Sequence, residues 1–146
     1  MPLIYLNCPQ YTFDQFNKNK LADELTTIAL QIEQLPNTPF VRSTCWIFFN
    51  EIKANNIYKG GEMINFEDKI LSMEVNVFKG GLDTIKKGRL IDEFTTCIRK
   101  YLNILDGKVT TLYIIIRDIK EEDWGVFGSR ITLHDLINPP EEAKPI

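Results

Sequence analysis

The sequence has no excess of basic residues: 17 lysines and arginines are outnumbered by 20 aspartates and glutamates, which gives a net charge of −3. Nucleic-acid-binding proteins concentrate positive charge, because phosphate contacts supply much of their affinity. No apolar run approaches the roughly 20 residues that cross a membrane, and the first residues lack a basic segment followed by a long apolar one. We therefore predict neither a nucleic-acid partner nor a membrane partner.

Cysteine and histidine are scarce. The three cysteines, Cys8, Cys45 and Cys97, are widely spaced and form no C-x-x-C pair, which is typical of buried, reduced thiols in the cytoplasm. The one histidine, His134, lies near the end of the chain and gives little support to a Ser-His-Asp or Cys-His arrangement. Neither metal-ligand spacing nor a phosphate-binding glycine loop is present. The sequence thus predicts a cytoplasmic protein without a metal site.

The chain does contain an internal repeat. LADELTT at residues 21–27 returns as LIDEFTT at residues 90–96, and NEIKANNIYKGG at residues 50–61 returns as RDIKEEDWGVFG at residues 117–128. Two matches in the same order indicate a duplicated unit. We predict one domain over residues 1–146, built from two repeats at about residues 2–70 and 72–137.

Each repeat is predicted to run strand, helix, strand and glycine turn. The strands are expected at residues 3–7, 45–49, 73–78 and 112–116, and apolar residues at helical spacing predict helices around residues 21–35 and 90–102. Thr12 with Gln15 resembles a capping box, and Asp83 is a candidate N-cap. The residues from Asn138 onward are polar and proline-rich, which predicts a loosely held tail.

These elements predict an α/β (α+β) fold with a four-stranded mixed sheet and two helices on one face. The strands at residues 45–49 and 112–116 are apolar on both faces, and two helices can cover only one of them. We therefore expect association through the sheets.

A proline directly follows the initiator methionine, at the head of the first predicted strand. Proline has no backbone N–H, so a strand tolerates it at its first residue, and Pro2 can be explained in that way alone. The other interpretation is chemical: if Met1 is removed, Pro2 presents a free secondary amine at the start of an ordered strand.

Pro2, the two β-α-β units and the segment IIIRDIKEEDWGVFG together resemble the tautomerase superfamily. The length, the duplication and the segment NIYKGGE are most similar to fused members such as cis-3-chloroacrylic acid dehalogenase. The resemblance implies removal of Met1, a Pro2 nitrogen that acts as general base or acid, a homotrimer, and no cofactor. An α-amino group titrates about one unit above neutrality, close to the value a general base needs.

The resemblance also implies substrate-binding residues. Tyr113 and Trp124 match pocket aromatics of the superfamily, and Lys79 falls where the dehalogenase has a carboxylate-binding arginine. Arg130 follows the last glycine turn, where it could reach a neighbouring subunit's pocket. Surface or core positions are the simpler interpretation of each of these four residues. Arg42 and Arg117 are alternative anion receptors.

The sequence departs from the dehalogenase at four positions. Its second arginine falls on Leu82, its water-activating glutamate on Val126, its histidine near Ala29 and its tyrosine on Ile115. The resemblance therefore favours an isomerase of the tautomerase type, acting on a small enol, 2-oxo acid or unsaturated carboxylate, over a dehalogenase or decarboxylase. The alternative is a pseudoenzyme, a binding or signalling protein on the same fold.

Overall fold

The computed structural model describes residues 2–65, 67–126 and 128–146. Its first half contains strand β1, helices α1 and α2, strand β2 and a two-stranded hairpin, β3–β4. Its second half contains strand β5, helix α3, strand β6, the hairpin β7–β8 and helix α4. The elements of the first half are β1 Leu3–Pro9, α1 Gln15–Glu33, α2 Pro39–Ser43, β2 Trp46–Ile52, β3 Tyr58–Lys59 and β4 Glu62–Met63. Those of the second half are β5 Leu71–Phe78, α3 Thr84–Tyr101, β6 Leu112–Ile119, β7 Gly125–Val126, β8 Ser129–Arg130 and α4 Leu133–Ile137.

The four long strands form one mixed sheet in the order β2-β1-β5-β6. β1 is parallel to β2, β5 is parallel to β6, and the two central strands, β1 and β5, are antiparallel. Each parallel pair is connected through a helix, as the strand–helix–strand pattern predicts. The predicted fold class is confirmed, while the repeat boundaries stay a prediction that the shared order of elements supports.

The two long helices pack together on one face of the sheet. Apolar side chains of both helices meet alternate residues of the central strands, and all of them are buried: Ile4, Leu6, Leu21, Leu25, Met73, Val75, Leu90 and Phe94. The other face of the same strands carries the intervening residues, because side chains alternate along a strand. The helical and strand periodicities of the sequence therefore locate the main core.

The N-cap of α3 was predicted correctly, whereas that of α1 was not. Asp83 caps α3 and accepts a hydrogen bond from the Lys86 N–H at 2.8 Å, as predicted. α1 is capped instead by Asp14, which accepts from the Asn17 N–H at 2.7 Å. The predicted capping box at Thr12 is wrong, because its hydroxyl donates to the Pro9 carbonyl and so closes the turn after β1.

A second apolar cluster lies at the end of the sheet where β1 begins. It combines residues from in and just after α1, from α2, from the end of β5, from the turn after β6, from the position after β8 and from α4: Leu30, Leu35, Val41, Phe78, Trp124, Ile131 and Leu136. The short helices α2 and α4 were not predicted, because five residues are too few to show a helical period. They matter to the site, since they enclose the end of the sheet on which Pro2 lies.

The face of the sheet opposite the helices is open. Its side chains form three rows, which are Trp46–Leu3–Asn76–Arg117, Phe48–Tyr5–Glu74–Ile115 and Asn50–Asn7–Ser72–Tyr113. The two outer strands, β2 and β6, contain the segments that are apolar on both faces and were therefore expected to be buried on both. Their large side chains Trp46, Phe48, Tyr113 and Ile115 are exposed in the single chain.

Candidate active site

Pro2 is buried directly before β1, one of the two central strands. Its carbonyl oxygen accepts a hydrogen bond from the Trp46 N–H at 3.3 Å, which continues the β1–β2 pairing by one residue. A proline at this position leaves no strand donor unpaired, since the ring nitrogen carries no hydrogen. Met1 lies outside the described residues, so its removal stays a prediction.

A cavity of about 230 Å³ opens beside this end of β1. The cavity is lined by Leu3, which follows Pro2 in the chain, and by Trp46, whose N–H donates to the Pro2 carbonyl. The other lining side chains are Thr44, Trp124, Val126 and Ile146. None of the described side chains that line it is charged, and the Thr44 hydroxyl already donates to the Val41 carbonyl at 2.7 Å. The cavity therefore suits an apolar group.

Trp124 forms one wall of this cavity, and its role in binding a substrate stays a prediction. Its side chain is 9% exposed and packs against Phe78, with ring centroids 4.9 Å apart. Its indole N–H is buried and has no acceptor within the described part of the chain. An unpaired buried donor costs about 1–3 kcal/mol, so this N–H would gain from any acceptor brought within its reach.

Lys79 lies at the same end of the sheet as Pro2 but does not line the cavity. The antiparallel register pairs Leu3 with Asn76, and Lys79 follows three residues later, just after β5. Its backbone N–H donates to the Ile119 carbonyl at 2.7 Å, while its side chain is exposed and forms no ion pair with any described residue. It is a free cation near the predicted site.

Tyr113 and Arg117 occupy opposite ends of β6. Arg117 lies in the same row as Leu3, whereas Tyr113 lies two rows away, roughly 13 Å along the strand. Tyr113 is 77% exposed on the open face, so within one chain it is far from Pro2. Arg117 is at the Pro2 end, where its guanidinium pairs with Glu74 at 3.2 Å.

Arg130 and Arg42 lie elsewhere. Arg130 lines a second cavity, which is separated from the first by Val126 and Ile146. Arg42 joins α2 to α1 through Asp23, at 2.5 Å, and Thr27, at 3.1 Å. The structure therefore places Trp124 in the wall of the cavity beside the start of β1, Lys79 at the same end of the sheet as Pro2, and Arg42 in the contact between α1 and α2.

The cysteines are poor nucleophiles. Burial raises the pKa of Cys8 and of Cys45 to about 11, and that of Cys97 to about 12. Because only the thiolate reacts, these groups are almost entirely inactive near neutral pH. His134 contacts Asn138 on the exposed side of α4 and not a serine or cysteine. No cluster of three metal-binding side chains occurs among the described residues.

Several lining residues were not predicted to belong to the site. Thr44, Trp46 and Ile146 reach the cavity through α2, through the edge strand and through the tail. The tail was expected to be loose, yet the Ile146 N–H donates to the Ser43 hydroxyl at 2.8 Å. Trp46 could have been found from its place at the head of a strand parallel to β1. The contact between residues 43 and 146 has no local signal in the sequence.

Comparison with solved structures identifies the fold. A member of the cis-3-chloroacrylic acid dehalogenase family is similar with a TM-score of 0.72 and 17% identity, over 88% of this chain and 82% of that one. A fused 4-OT protein described as an asymmetric trimer gives 0.71 and 21%, over 88% and 94%. A macrophage migration inhibitory factor-like protein from Entamoeba histolytica gives 0.66 and 17%, over 89% and 98%.

The chain therefore has the tautomerase-superfamily fold, which confirms the resemblance seen in the sequence at the level of the fold. No protein-family model and no curated protein matches the sequence. In the described part of the chain, no helix is both long and apolar enough to span a membrane.

Proposed function

We propose that this protein is a tautomerase-like enzyme in which the Pro2 nitrogen, freed by removal of Met1, transfers protons on a small enol, 2-oxo acid or unsaturated carboxylate. The observation that carries the proposal is the buried position of Pro2 beside an apolar cavity. Apolar surroundings favour the neutral, proton-accepting form of an amine. Such an amine can take a proton from the carbon next to a carbonyl and return it elsewhere, without a cofactor.

Four side chains support this chemistry in the proposal. Trp124 shapes the wall against which the carbon skeleton packs, and Lys79 attracts the carboxylate to the Pro2 end of the sheet. Tyr113 is too far from Pro2 within one chain, so it would serve a neighbouring chain's site. Arg130 would contact only those substrates that are long enough to pass Val126.

The proposal predicts that the active protein begins at Pro2, because a retained Met1 would convert the amine into a non-basic amide. Intact-mass measurement on the purified protein gives the N-terminus, and enol–keto exchange of a 2-oxo acid, followed by ultraviolet absorbance, gives the activity. Active material with a mass that includes Met1 throughout would contradict the mechanism.

We also propose that the protein is a homotrimer that covers the open face of the sheet. The exposed side chains of β2 and β6 supply an apolar surface on that face, and a fused 4-OT protein with this fold is described as a trimer. The three free cysteines are consistent with a cytoplasmic location, which we propose as well.

The trimer can be tested by replacing one apolar side chain on the open face with a charged one. Light scattering should give three chain masses for the parent, whereas Ile115→Glu should shift the protein toward monomer, because a carboxylate would be buried in the contact without a partner. Ile85→Glu is the matched control, since Ile85 is an exposed isoleucine on the helical side. A monomeric parent at micromolar concentration would contradict the proposal, as would an Ile115→Glu trimer of unchanged stability.

A binding protein on the same fold is the second candidate. The apolar side chains that line the cavity beside Leu3 favour it, because the position that holds the dehalogenase glutamate is the apolar Val126 here. Enol–keto exchange that does not depend on Pro2 would favour this candidate over the enzyme.

A further inference from the structure

Two cavities lie side by side at the Pro2 end of the sheet. The first is the 230 Å³ cavity beside Leu3, and the second is an open pocket of about 420 Å³ between β8, α4 and the tail. They share two lining residues, Val126 and Ile146. These two side chains are therefore the partition between the cavities.

The two cavities differ in polarity. Among the described side chains, the first is lined by no charged group, whereas Arg130, Lys144 and Asp135 line the second. The Asp135 carboxylate already accepts hydrogen bonds from the N–H and the hydroxyl of Thr132, each at 2.8 Å. Arg130 has no ion-pair partner among the described residues, so its guanidinium is available to an anion. An apolar chamber thus adjoins a chamber with a free cation.

The partition is weakly held on one side. Ile146 belongs to the tail, and between residues 139–146 and the rest of the described chain a single hydrogen bond is present, from the Ile146 N–H to the Ser43 hydroxyl at 2.8 Å. A second hydrogen bond, from the Ala143 N–H to the Pro140 carbonyl, lies within the tail itself. A segment with few contacts opens at low free-energy cost, so a ligand can displace Ile146.

We propose that the two cavities form one binding site for an amphipathic carboxylate of the medium-chain fatty-acid class. The carboxylate binds the Arg130 guanidinium, whose planar fork matches two carboxylate oxygens. The hydrocarbon chain displaces Ile146, passes Val126 and ends against Trp46 and Trp124. This site goes beyond proton transfer at Pro2, because it requires binding alone.

The chemistry of the ligand can be tested with three probes and the full-length protein. Isothermal titration calorimetry is carried out with decanoate, butyrate and 1-decanol. Each methylene moved from water into an apolar cavity strengthens binding by a factor of roughly four, so the six additional methylenes of decanoate should make it bind about 10³-fold tighter than butyrate. A charged hydrogen bond should make decanoate about tenfold tighter than decanol. Equal affinity for decanoate and decanol would overturn the role of the cation.

Variants locate the two ends of the ligand. Arg130→Gln should weaken decanoate binding about tenfold and leave decanol binding unchanged, while Arg89→Gln, an exposed arginine on α3, should change neither. Ile146→Ala should strengthen decanoate binding several-fold, because less of the partition has to move. If Ile146→Ala binds decanoate more weakly than the parent, the shared site is wrong. The same holds if Lys79→Gln weakens decanoate binding and Arg130→Gln does not. Decanoate has no reactive ketone, so these results are independent of whether Pro2 catalyses proton transfer.

Discussion

Pro2→Ala should lower the rate of enol–keto exchange of a 2-oxo acid by about 10²–10⁴-fold, the usual contribution of a positioned acid–base group. After removal of Met1, the variant would present a primary amine at the same place, so some activity should remain. Alanine lacks the ring that fixes the backbone before β1. The nitrogen would therefore stay basic as a primary amine but would lose part of its orientation.

A matched control distinguishes the loss of the catalytic amine from a general disturbance of strand β1. Pro9→Ala replaces the buried proline at the other end of β1, so it makes the same change far from the cavity. It should keep the parent rate even if it lowers the melting temperature as much as Pro2→Ala does. If Pro2→Ala and the parent show equal rates, Pro2 has no catalytic part and the binding-protein interpretation becomes the better one.

The fold could be predicted because its determinants are local. Helical spacing of Leu90, Phe94 and Ile98 and alternation along β5 are enough to define which faces are buried, and all three helix residues lie in the core. The strands were predicted too short at their ends. β6 continues through Arg117 and Asp118, because backbone pairing with β5 extends the strand beyond its apolar residues.

The site could be predicted only in part, because it depends on register and on distant segments. Pro2 and Trp124 were singled out from their positions in the resemblance. Trp124 lines the cavity, whereas Pro2 is linked to it by a hydrogen bond from the lining residue Trp46. Tyr113 was expected near the site, and Arg117 was named only as an alternative anion receptor. The antiparallel register of β1 and β5 puts the arginine at the level of Leu3 and the tyrosine two rows away. Such a register comes from pairing between strands about 70 residues apart, which no local pattern specifies.

Lys79→Ala should lower kcat/KM for a 2-oxo acid by roughly tenfold to a hundredfold, since a hydrogen bond to a charged group contributes roughly 1.5–3 kcal/mol. Lys79 has no ion-pair partner among the described residues and lies at the Pro2 end of the sheet, and Gly80, with φ of 90°, turns the chain immediately after it. The N-terminus of α3 follows and adds partial positive charge. A loss mainly in KM would mean that Lys79 holds substrate and transition state alike, whereas a loss in kcat would mean that it acts in the transition state.

Lys53→Ala is the control for this prediction. Lys53, like Lys79, is exposed and directly follows a strand, but it lies at the opposite end of the sheet from Pro2. It should leave kcat/KM unchanged, so an equal loss in both variants would indicate a general effect of charge on substrate approach. Unchanged kinetics in Lys79→Ala would mean that Arg117 or Arg130 binds the substrate carboxylate instead.

The parent should release chloride from 3-chloroacrylate far more slowly than it tautomerises a 2-oxo acid, because Val126 in the cavity wall cannot activate water. Rapid chloride release would mean that another residue supplies the base, and the glutamate position would then have to be sought away from Val126.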